Sequence, residues 1–273
     1  MKLFAKLTLS AAALTLLTAC EDELDFQYHD IDPLRVIEGT FTQEGGGLKI
    51  TLTTPMDEPL DTTPLTDADV TVTDLTEGAT YQLLPDSEGI YRLPQGIVPL
   101  TGHEYAVNVT ASGQHFTATS TMLPPTSIEV MELSWVTFPG TEQASLQVGF
   151  PDPEPGVENY YFVKIYRNDR TFTWSLARDI YMVDGLVRVN FFLTDREPKD
   201  DATFYDMLEP GDVVKAEVYP IDLKMFDYLM SAAMPGKNMI DCFSGDKCLG
   251  YFLTAPVARQ SVVYDPEKID LHN

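Results

Sequence analysis

Short runs in which apolar and polar residues alternate dominate the first half of this sequence. In the clearest run, Leu48, Ile50 and Leu52 alternate with polar side chains, which is the period expected for a half-buried strand. The three glycines at 45–47 predict a hairpin loop, because glycine tolerates positive φ. The predicted strands are 36–42, 48–54, 70–74, 80–84, 90–93, 104–111 and 115–122. Seven short strands joined by turns predict a β-sandwich.

A tyrosine near the start of a late strand adds a second signal for this fold. Leu100 and Gly102 precede Tyr105, and Val107 and Val109 continue the strand. The arrangement resembles the tyrosine corner of immunoglobulin and fibronectin type III domains, where a tyrosine hydroxyl bonds to the backbone a few residues upstream. We therefore expect the role of Tyr105 to be structural before it is one of ligand binding.

The second half begins after Pro124 and Pro125, because paired prolines end a strand and favour an extended connector. Its predicted strands are 128–136, 145–150, 160–166, 171–176, 186–193 and 213–219. The predicted fold class is all-β with two tandem β-sandwich-like domains. The first, at 35–124, is immunoglobulin- or fibronectin III-like, and the second, β-rich domain is at 125–273.

One short amphipathic helix is predicted at 222–233 in the second domain. Its apolar side chains recur at spacings of three and four residues, and they are Met225, Phe226, Leu229, Met230 and Ala233. Asp222 is a suitable N-cap, and Pro235 with Gly236 closes the helix. We expect the helix to cover an end or face of the second sheet, with Phe226 and Leu229 each contributing about 2 kcal/mol by burial.

The first nineteen residues resemble a bacterial signal peptide. Lys2 and Lys6 accompany an apolar run at 7–19 that is too short to span a membrane, which needs about 20 residues. Residues 17–19 followed by Cys20 resemble a lipobox, in which the cysteine is lipidated before cleavage on its amino side. The sequence therefore predicts removal of 1–19 and a lipidated Cys20. The alternative is a plain signal peptide with an incidental cysteine.

A run of carboxylates follows the predicted lipidation site. Its members are Glu21, Asp22, Glu23 and Asp25. One interpretation is a solvated acidic tether at 20–34, since adjacent like charges repel. The run also resembles the export signal that sends Bacteroidota lipoproteins to the outer face of the outer membrane. We favour that interpretation, and expect a lipid-anchored outer-membrane protein that faces the cell exterior.

The charge balance limits the partners of this protein. The sequence has 42 acidic against 18 basic residues, a net charge of −24. A surface of this kind repels phosphate backbones and anionic lipid headgroups. Nucleic acid is therefore not an expected partner, and cationic or neutral ligands are favoured.

Two further cysteines, Cys242 and Cys248, lie six positions apart. In an exported protein this pattern predicts a disulfide, which would close a small loop and add about 2 kcal/mol. A structural zinc site is the competing explanation. It lacks ligands, because no histidine is near the pair in sequence and four ligands are normally needed.

The sequence contains none of the common hydrolase or nucleotide-binding motifs, and no cofactor is predicted. The densest acidic clusters of the folded region are Asp195, Glu197, Asp200 and Asp201 and, separately, Asp152, Glu154 and Glu158. Their hard oxygen ligands suit calcium, although neither cluster has the EF-hand spacing. Solvated loops are the favoured explanation of both, so no metal site is predicted beyond the calcium candidates Asp195, Glu197, Asp200 and Asp201.

Adjacent aromatic residues in the second half indicate a partner surface. Neighbouring side chains of a strand point to opposite faces, so Tyr160 and Tyr161 cannot both be buried in one layer, nor can Phe191 and Phe192. One member of each pair should face a second layer or an interface, where aromatic side chains are favoured anchors.

The second half also resembles a known family. The resemblance lies in Gly211, Asp212, Val213, Val214, Tyr219, Ile221, Asp222, Phe226, Tyr228, Leu229, Leu249, Gly250, Tyr251 and Phe252, with earlier matches at Thr121, Pro124, Asn159, Tyr160, Asp184 and Gly185. These residues are similar to the pattern of a Bacteroidota lipoprotein family catalogued as domain of unknown function 4249. The chain departs from it at the 242–248 loop, where relatives tend to have a glycine-rich turn.

The resemblance implies a surface-exposed lipoprotein that accompanies a TonB-dependent receptor, and it implies no catalytic residues. We therefore expect a non-enzymatic accessory or ligand-binding component of a TonB-dependent nutrient uptake system. One alternative is a structural or adhesive surface lipoprotein. A second alternative is a hydrolase that uses carboxylates such as Asp195 and Glu197, since a glycosidase needs only two acids.

Overall fold

A computed structural model describes residues 32–55, 58–180, 182–197, 203, 207–234 and 240–272. The chain divides into two compact units, one of 34–53 with 60–273 and one of 1–33 with 54–59. The described part of the smaller unit contains no strand or helix. The predicted signal peptide at 1–19 lies outside the described residues. So do the predicted lipidation site, Cys20, and the acidic run of Glu21, Asp22, Glu23 and Asp25.

The larger unit is mostly β. Its strands are β1 (Arg35–Thr42), β2 (Gly45–Leu52), β3 (Asp69–Asp74), β4 (Ala79–Pro85), β5 (Tyr91–Arg92), β6 (Glu104–Ala111), β7 (Gln114–Thr121), β8 (Val130–Phe138), β9 (Thr141–Pro151), β10 (Tyr160–Arg167), β11 (Arg170–Arg178), β12 (Met182–Val183), β13 (Leu186–Asp195), β14 (Val213–Ile221), β15 (Ser244–Gly245), β16 (Cys248–Thr254), β17 (Ala258–Val263) and β18 (Asp270–His272). The helix in the described part is α1 (Leu223–Ala233). The strands form three sheets, arranged as two curled half-barrels.

The first sheet has nine strands in the order β15-β7-β6-β3-β4-β5-β2-β1-β16. It curls so far that its two ends meet, where the Thr254 amide of β16 donates a hydrogen bond of 2.8 Å to the Ser120 hydroxyl of β7. Its inward side chains, among them Phe41, Ile50 and Phe252, are fully buried in one core. The alternation along each strand therefore lines the inside of the curl with apolar residues.

The other two sheets share a second core. The four-stranded sheet has the order β11-β10-β14-β17, and the five-stranded sheet has the order β12-β13-β9-β8-β18. Trp135, Leu146 and Phe150 of the five-stranded sheet pack in the same cluster as Tyr161 and Val163 of the four-stranded sheet. One face of each sheet is therefore covered by the other.

Strands from the end of the chain complete the first sheet. β16 pairs in parallel with β1, so that Arg35 lies opposite Cys248, and β15 pairs with β7 at the other end of the sheet. Local alternation did not identify these pairings, because they join residues far apart in sequence. The proposed division at 124 and 125 stays a prediction, and residues 244–254 extend the sheet of the first half.

The helix begins after Asp222, as its sequence pattern indicates, whereas the predicted closing residues Pro235 and Gly236 lie outside the described residues. The Asp222 carboxylate accepts a hydrogen bond of 2.8 Å from the Met225 amide and so caps the first turn. We expected the helix to pack on the sheet of the second half, but that contact is only part of its packing. Met225 and Leu229 are buried in the core of the nine-stranded sheet. Phe226 is half-buried against Tyr160 of β10, with ring centroids 4.8 Å apart. In the described part of the chain, no helix is long and apolar enough to cross a membrane.

The structure does not contain the disulfide predicted between Cys242 and Cys248, which are both buried free thiols. Hydrogen bonds hold their loop instead, since the Asp246 amide donates to the His115 carbonyl at 2.9 Å and the Asp246 carboxylate accepts from the His115 amide at 2.7 Å. Burial raises the pKa of Cys242, and it raises the pKa of Cys248 to about 12 with further contributions from Asp241 and Cys242. Both side chains therefore pack as neutral thiols in the first core.

The tyrosine corner forms as expected, because the Tyr105 hydroxyl accepts a hydrogen bond of 2.8 Å from the Leu100 amide. We expect Tyr105→Phe to lower the free energy of unfolding by about 1–2 kcal/mol, since it leaves that amide without its partner. Tyr81→Phe is the matched control, because the described residues offer the Tyr81 hydroxyl no hydrogen bond, and urea unfolding compares the two variants. Equal losses in both would contradict the role assigned to Tyr105.

Candidate functional site

The outer face of the five-stranded sheet carries an exposed aromatic side chain. Along β13, Val189, Phe191 and Leu193 point into the shared core, while Asn190 and Phe192 point outward. Phe191 is 6% exposed and Phe192 is 54% exposed. The prediction that the two aromatic residues face opposite ways is confirmed. The exposed ring of Phe192 makes this face a candidate site.

Strand register places polar side chains around Phe192 in two rows. In the first row Glu132 of β8, Gln147 of β9 and Asn190 of β13 lie side by side. In the second row Ser134 and Ser145 lie beside Phe192. Together with Val136 they line a cavity of about 280 Å³. We call this surface the Phe192 face, and its residues are Glu132, Ser134, Val136, Ser145, Gln147, Asn190 and Phe192.

Neighbouring side chains hold the amide groups of the Phe192 face in place. The Gln147 amide nitrogen donates a hydrogen bond of 3.2 Å to the Asn190 side-chain oxygen. The Gln147 oxygen in turn accepts a hydrogen bond from the Arg188 guanidinium. The orientation of both amides is therefore set before any ligand arrives, which reduces the entropy lost on binding.

A serine hydroxyl lies at the floor of the cavity. Ser145 is only 4% exposed, and its hydroxyl has no hydrogen-bond partner within the described ranges. The hydroxyl oxygen itself opens to the cavity, since the fully buried side-chain polar atoms without a partner in the described residues are Arg35 Nε and Trp135 Nε1. The Ser145 hydroxyl is therefore available to a ligand that fills the cavity beside Phe192.

A second cavity, of about 420 Å³, adjoins the first. Its lining consists of Thr137, Phe138, Gly140, Thr141, Glu142, Arg196 and Glu197. The two cavities meet where the rings of Phe138 and Phe192 pack edge to face, with centroids 5.2 Å apart. Arg196 is already paired with Glu142 at 2.6 Å and lies over the Trp135 ring at 5.2 Å. The two cavities thus form one extended surface with an aromatic pair at its middle.

The calcium candidates do not come together as a metal site. The Asp195 carboxylate accepts a hydrogen bond of 2.7 Å from Gln143, and Glu197 lines the second cavity. Asp200 and Asp201 lie outside the described residues. In the part of the chain that the structure describes, no three histidine, cysteine or carboxylate side chains are placed to bind one metal ion.

The other acidic cluster has a structural role. The Asp152 carboxylate accepts hydrogen bonds from the Glu154 amide at 3.0 Å, the Asn159 side chain at 3.0 Å and the Tyr161 hydroxyl at 3.2 Å. Glu158 is paired with Arg178. These groups shape the loop before β10, as the solvated-loop interpretation expected.

Three carboxylates outside the Phe192 face are buried and fully engaged. Asp74 accepts hydrogen bonds from the Thr76 and Glu77 amides and lies 2.8 Å from His103 Nδ1. Asp212 and Glu217 are likewise surrounded by donors, which for Glu217 include Tyr219 at 2.5 Å and Arg259 at 2.8 Å. Burial by itself raises the pKa of each carboxyl, but these hydrogen bonds outweigh it and the net pKa is lowered.

These lowered pKa values predict how stability depends on pH. Each carboxyl binds its proton at lower pH in the folded chain than in the unfolded chain, where such groups titrate near pH 4. The unfolded chain therefore takes up more protons as the pH falls, and the stabilisation present above about pH 5 is lost on acidification. We expect urea unfolding to give a constant free energy between pH 7 and about pH 5 and a falling one below it.

Asp74→Asn provides the control for this pH dependence. The variant is expected to be less stable at neutral pH and to show a shallower fall on acidification, because one shifted carboxyl is gone. An unchanged slope in this variant would show that Asp74 makes no contribution to the pH dependence.

Sequence reasoning missed most of the Phe192 face. It identified Phe192, and Glu197 of the second cavity, whereas Glu132, Ser134, Ser145, Gln147 and Asn190 have no motif around them. The one local signal was that these polar residues occupy alternate positions of strands whose other positions are apolar. That signal is common to any solvent-facing sheet, so it did not distinguish a binding surface.

Comparison with known proteins provides a family but no activity. A search of curated proteins finds no match. The family described as a domain of unknown function, DUF4249, matches residues 21–260. This match includes every residue of the Phe192 face and most of the described chain. The chain therefore belongs to the DUF4249 family.

Proposed function

We propose that this protein is a non-enzymatic ligand-binding or accessory component of a TonB-dependent nutrient uptake system, anchored at the outer membrane. The observation that carries the binding role is the Phe192 face. There an exposed ring adjoins a serine hydroxyl that opens to the cavity without a partner and amides that are already oriented. Such a surface is suited to hold a ligand.

Three buried carboxylates are not suited to act as general acids at neutral pH. A general acid at neutral pH needs a raised pKa, as in glycosidases. The pKa values of Asp74, Asp212 and Glu217 are lowered, and each carboxylate is saturated with hydrogen bonds. These groups serve as fixed structural anions.

The amino-terminal sequence supports the proposed location. Residues 17–20 resemble a lipobox, and Glu21, Asp22, Glu23 and Asp25 resemble the acidic export signal of Bacteroidota lipoproteins. Acyl chains on Cys20 would provide durable anchoring, since two or more chains hold where a single chain is marginal. The proposal thus places the chain at the cell exterior, where the protein would encounter a nutrient before its uptake.

The proposal also includes two tandem sandwich-like domains. The bond between the Tyr105 hydroxyl and the Leu100 amide supports an immunoglobulin-like relationship of the first half. The shared core of the four- and five-stranded sheets supports a sandwich in the second half. In this arrangement the second half carries the ligand surface on its outer side.

The direct test is crosslinking of intact outer membranes followed by purification of the tagged protein and mass spectrometry. We expect recovery of a TonB-dependent receptor. Cys20→Ala is the control, because without the lipidated thiol the chain should lose its membrane fraction and the receptor together. Recovery of only soluble or inner-membrane proteins with the unmodified chain would overturn the proposed function.

Surface exposure has a separate test. Protease added to intact cells should digest the unmodified protein. Replacement of Glu21, Asp22, Glu23 and Asp25 by alanine should protect it, because the export signal is lost. Unchanged digestion of the substituted protein would refute the role given to the acidic run.

A further inference from the structure

We propose that the Phe192 face binds a neutral carbohydrate chain, with Phe192 as the stacking platform and Ser145 as the hydrogen-bonding floor. This inference rests on the proposed function and names its ligand class. Its first support is the chemistry of the free groups. Ser134 and Ser145 hydroxyls both donate and accept, the Asn190 amide nitrogen donates, and the Glu132 carboxylate accepts. Sugar hydroxyls, which donate and accept at adjacent carbons, match this mixture.

The exposed ring supplies the second support. The ring of Phe192 is flanked by the small side chain of Ser145 directly across the strand pair, so a flat ligand has access to it beside the cavity. The electron-rich face of an aromatic ring attracts polarised C–H groups. A pyranose presents C–H groups on one face and hydroxyls at its rim, which fits a ring surrounded by hydroxyl and amide groups.

Charge distinguishes neutral from acidic carbohydrate. The two arginines near the face are both engaged, Arg188 with Gln147 and Arg196 with Glu142. Glu132 and Glu197 have no cationic partner among the residues that the structure describes. An anionic polysaccharide would therefore meet carboxylates and no available cation, which is unfavourable at short range.

The extent of the surface indicates a chain and not a single sugar. From Glu132 to Phe138 the strand β8 runs along both cavities, a length of about 20 Å at the usual rise of a strand. The main-chain groups of β9 are used in pairing with β8 and β13. A peptide thus cannot add as a further strand over this face, and recognition falls to the side chains.

The test uses the full-length protein in mild detergent and affinity gel electrophoresis. The probes are neutral polysaccharides (starch, laminarin, galactomannan and arabinoxylan), with polygalacturonate as the acidic comparison. Calorimetry with a deca-lysine peptide covers a cationic ligand. We expect at least one neutral polysaccharide to retard the protein and polygalacturonate not to retard it. Any binding of the peptide should reflect the acidic surface as a whole and be unchanged by Phe192→Ala.

Variants then locate the site. Phe192→Ala should weaken retardation about tenfold or more, because a central aromatic anchor is lost. Ser145→Ala should weaken it as well, because it removes the floor hydroxyl. Trp174→Ala is the matched control, since Trp174 is an exposed aromatic residue on the four-stranded sheet, and it should leave retardation unchanged. Circular dichroism of each variant verifies folding.

Several results would overturn the inference. These are absence of retardation by every neutral polysaccharide, binding of the cationic peptide alone, and full retardation of a folded Phe192→Ala variant. Crosslinking of the same variants keeps the two proposals apart. Recovery of a receptor without carbohydrate binding would overturn the ligand class alone, whereas carbohydrate binding without a receptor would overturn the uptake role alone.

Discussion

Replacing Arg167 by methionine is expected to lower the free energy of unfolding by about 3–5 kcal/mol. Arg167 is 5% exposed at the end of β10, and its Nε donates a hydrogen bond of 2.6 Å to Asp212, which is 7% exposed. Its Nη1 also donates to the Met207 carbonyl at 2.6 Å. Removing the guanidinium leaves the Asp212 carboxylate buried without its cation, and that uncompensated charge is the source of the loss.

An exposed ion pair offers the matched control for this prediction. Arg178 pairs with Glu158, and each side chain is 41% exposed. Arg178→Met should cost less than about 1 kcal/mol, because water solvates the remaining carboxylate. Adding Asp212→Asn to the Arg167 variant should restore part of the lost stability. Urea unfolding at pH 7 measures all variants, and equal losses for Arg167→Met and Arg178→Met would refute the argument.

Replacing Gly250 by alanine is expected to cost about 3 kcal/mol or more, and to reduce the yield of folded protein. Gly250 has φ +103°, and a Cβ there would lie 2.0 Å from the Ile37 carbonyl oxygen of the neighbouring strand β1. The contact is with main chain, so no side-chain rotation can relieve it. β16 would have to move away from β1, which would open the nine-stranded sheet where its two ends meet.

Gly113 separates the steric contribution from backbone strain. It also has positive φ, at +80°, but a Cβ there would meet nothing within 4 Å. Gly113→Ala should therefore cost only about 1 kcal/mol, from the left-handed backbone conformation alone. Thermal unfolding compares the two variants. A similar loss in both would mean that close packing of β16 on β1 contributes nothing.

The Gly250 position also explains part of the family pattern. Gly250, Tyr251 and Phe252 belong to the closing residues that suggested the family from sequence. In the structure, Gly250 permits close approach to β1 and Phe252 is fully buried in the first core. The pattern therefore reflects closure of the nine-stranded sheet and does not by itself identify a ligand site.

Local periodicity predicted a strand well where one of its faces is apolar and the other is polar. β6 spans Glu104–Ala111, the bounds expected from the alternation, and α1 begins after the Asp222 cap as expected. The strands after residue 244 were missed. β15 and β18 are too short for a periodic signal, and β16 has no exposed residue on either face, so apolar and polar positions do not alternate along it.

The sequence by itself determined which side chains of a strand point together, including the opposite directions of Phe191 and Phe192. It also determined the helix cap and the acidic character of the surface. Side-chain direction is a local property of the backbone, so a short window of sequence is enough to predict it.

Only the tertiary structure decided which strands became neighbours. It brought 244–254 to both ends of the first sheet, and it placed Ser134, Ser145 and Phe192 from three strands in one row. Pairing between distant strands depends on loop closure and on the packing of whole sheet faces, and neither leaves a signal in a short segment of chain. For that reason the candidate ligand surface emerged from the fold and not from a motif.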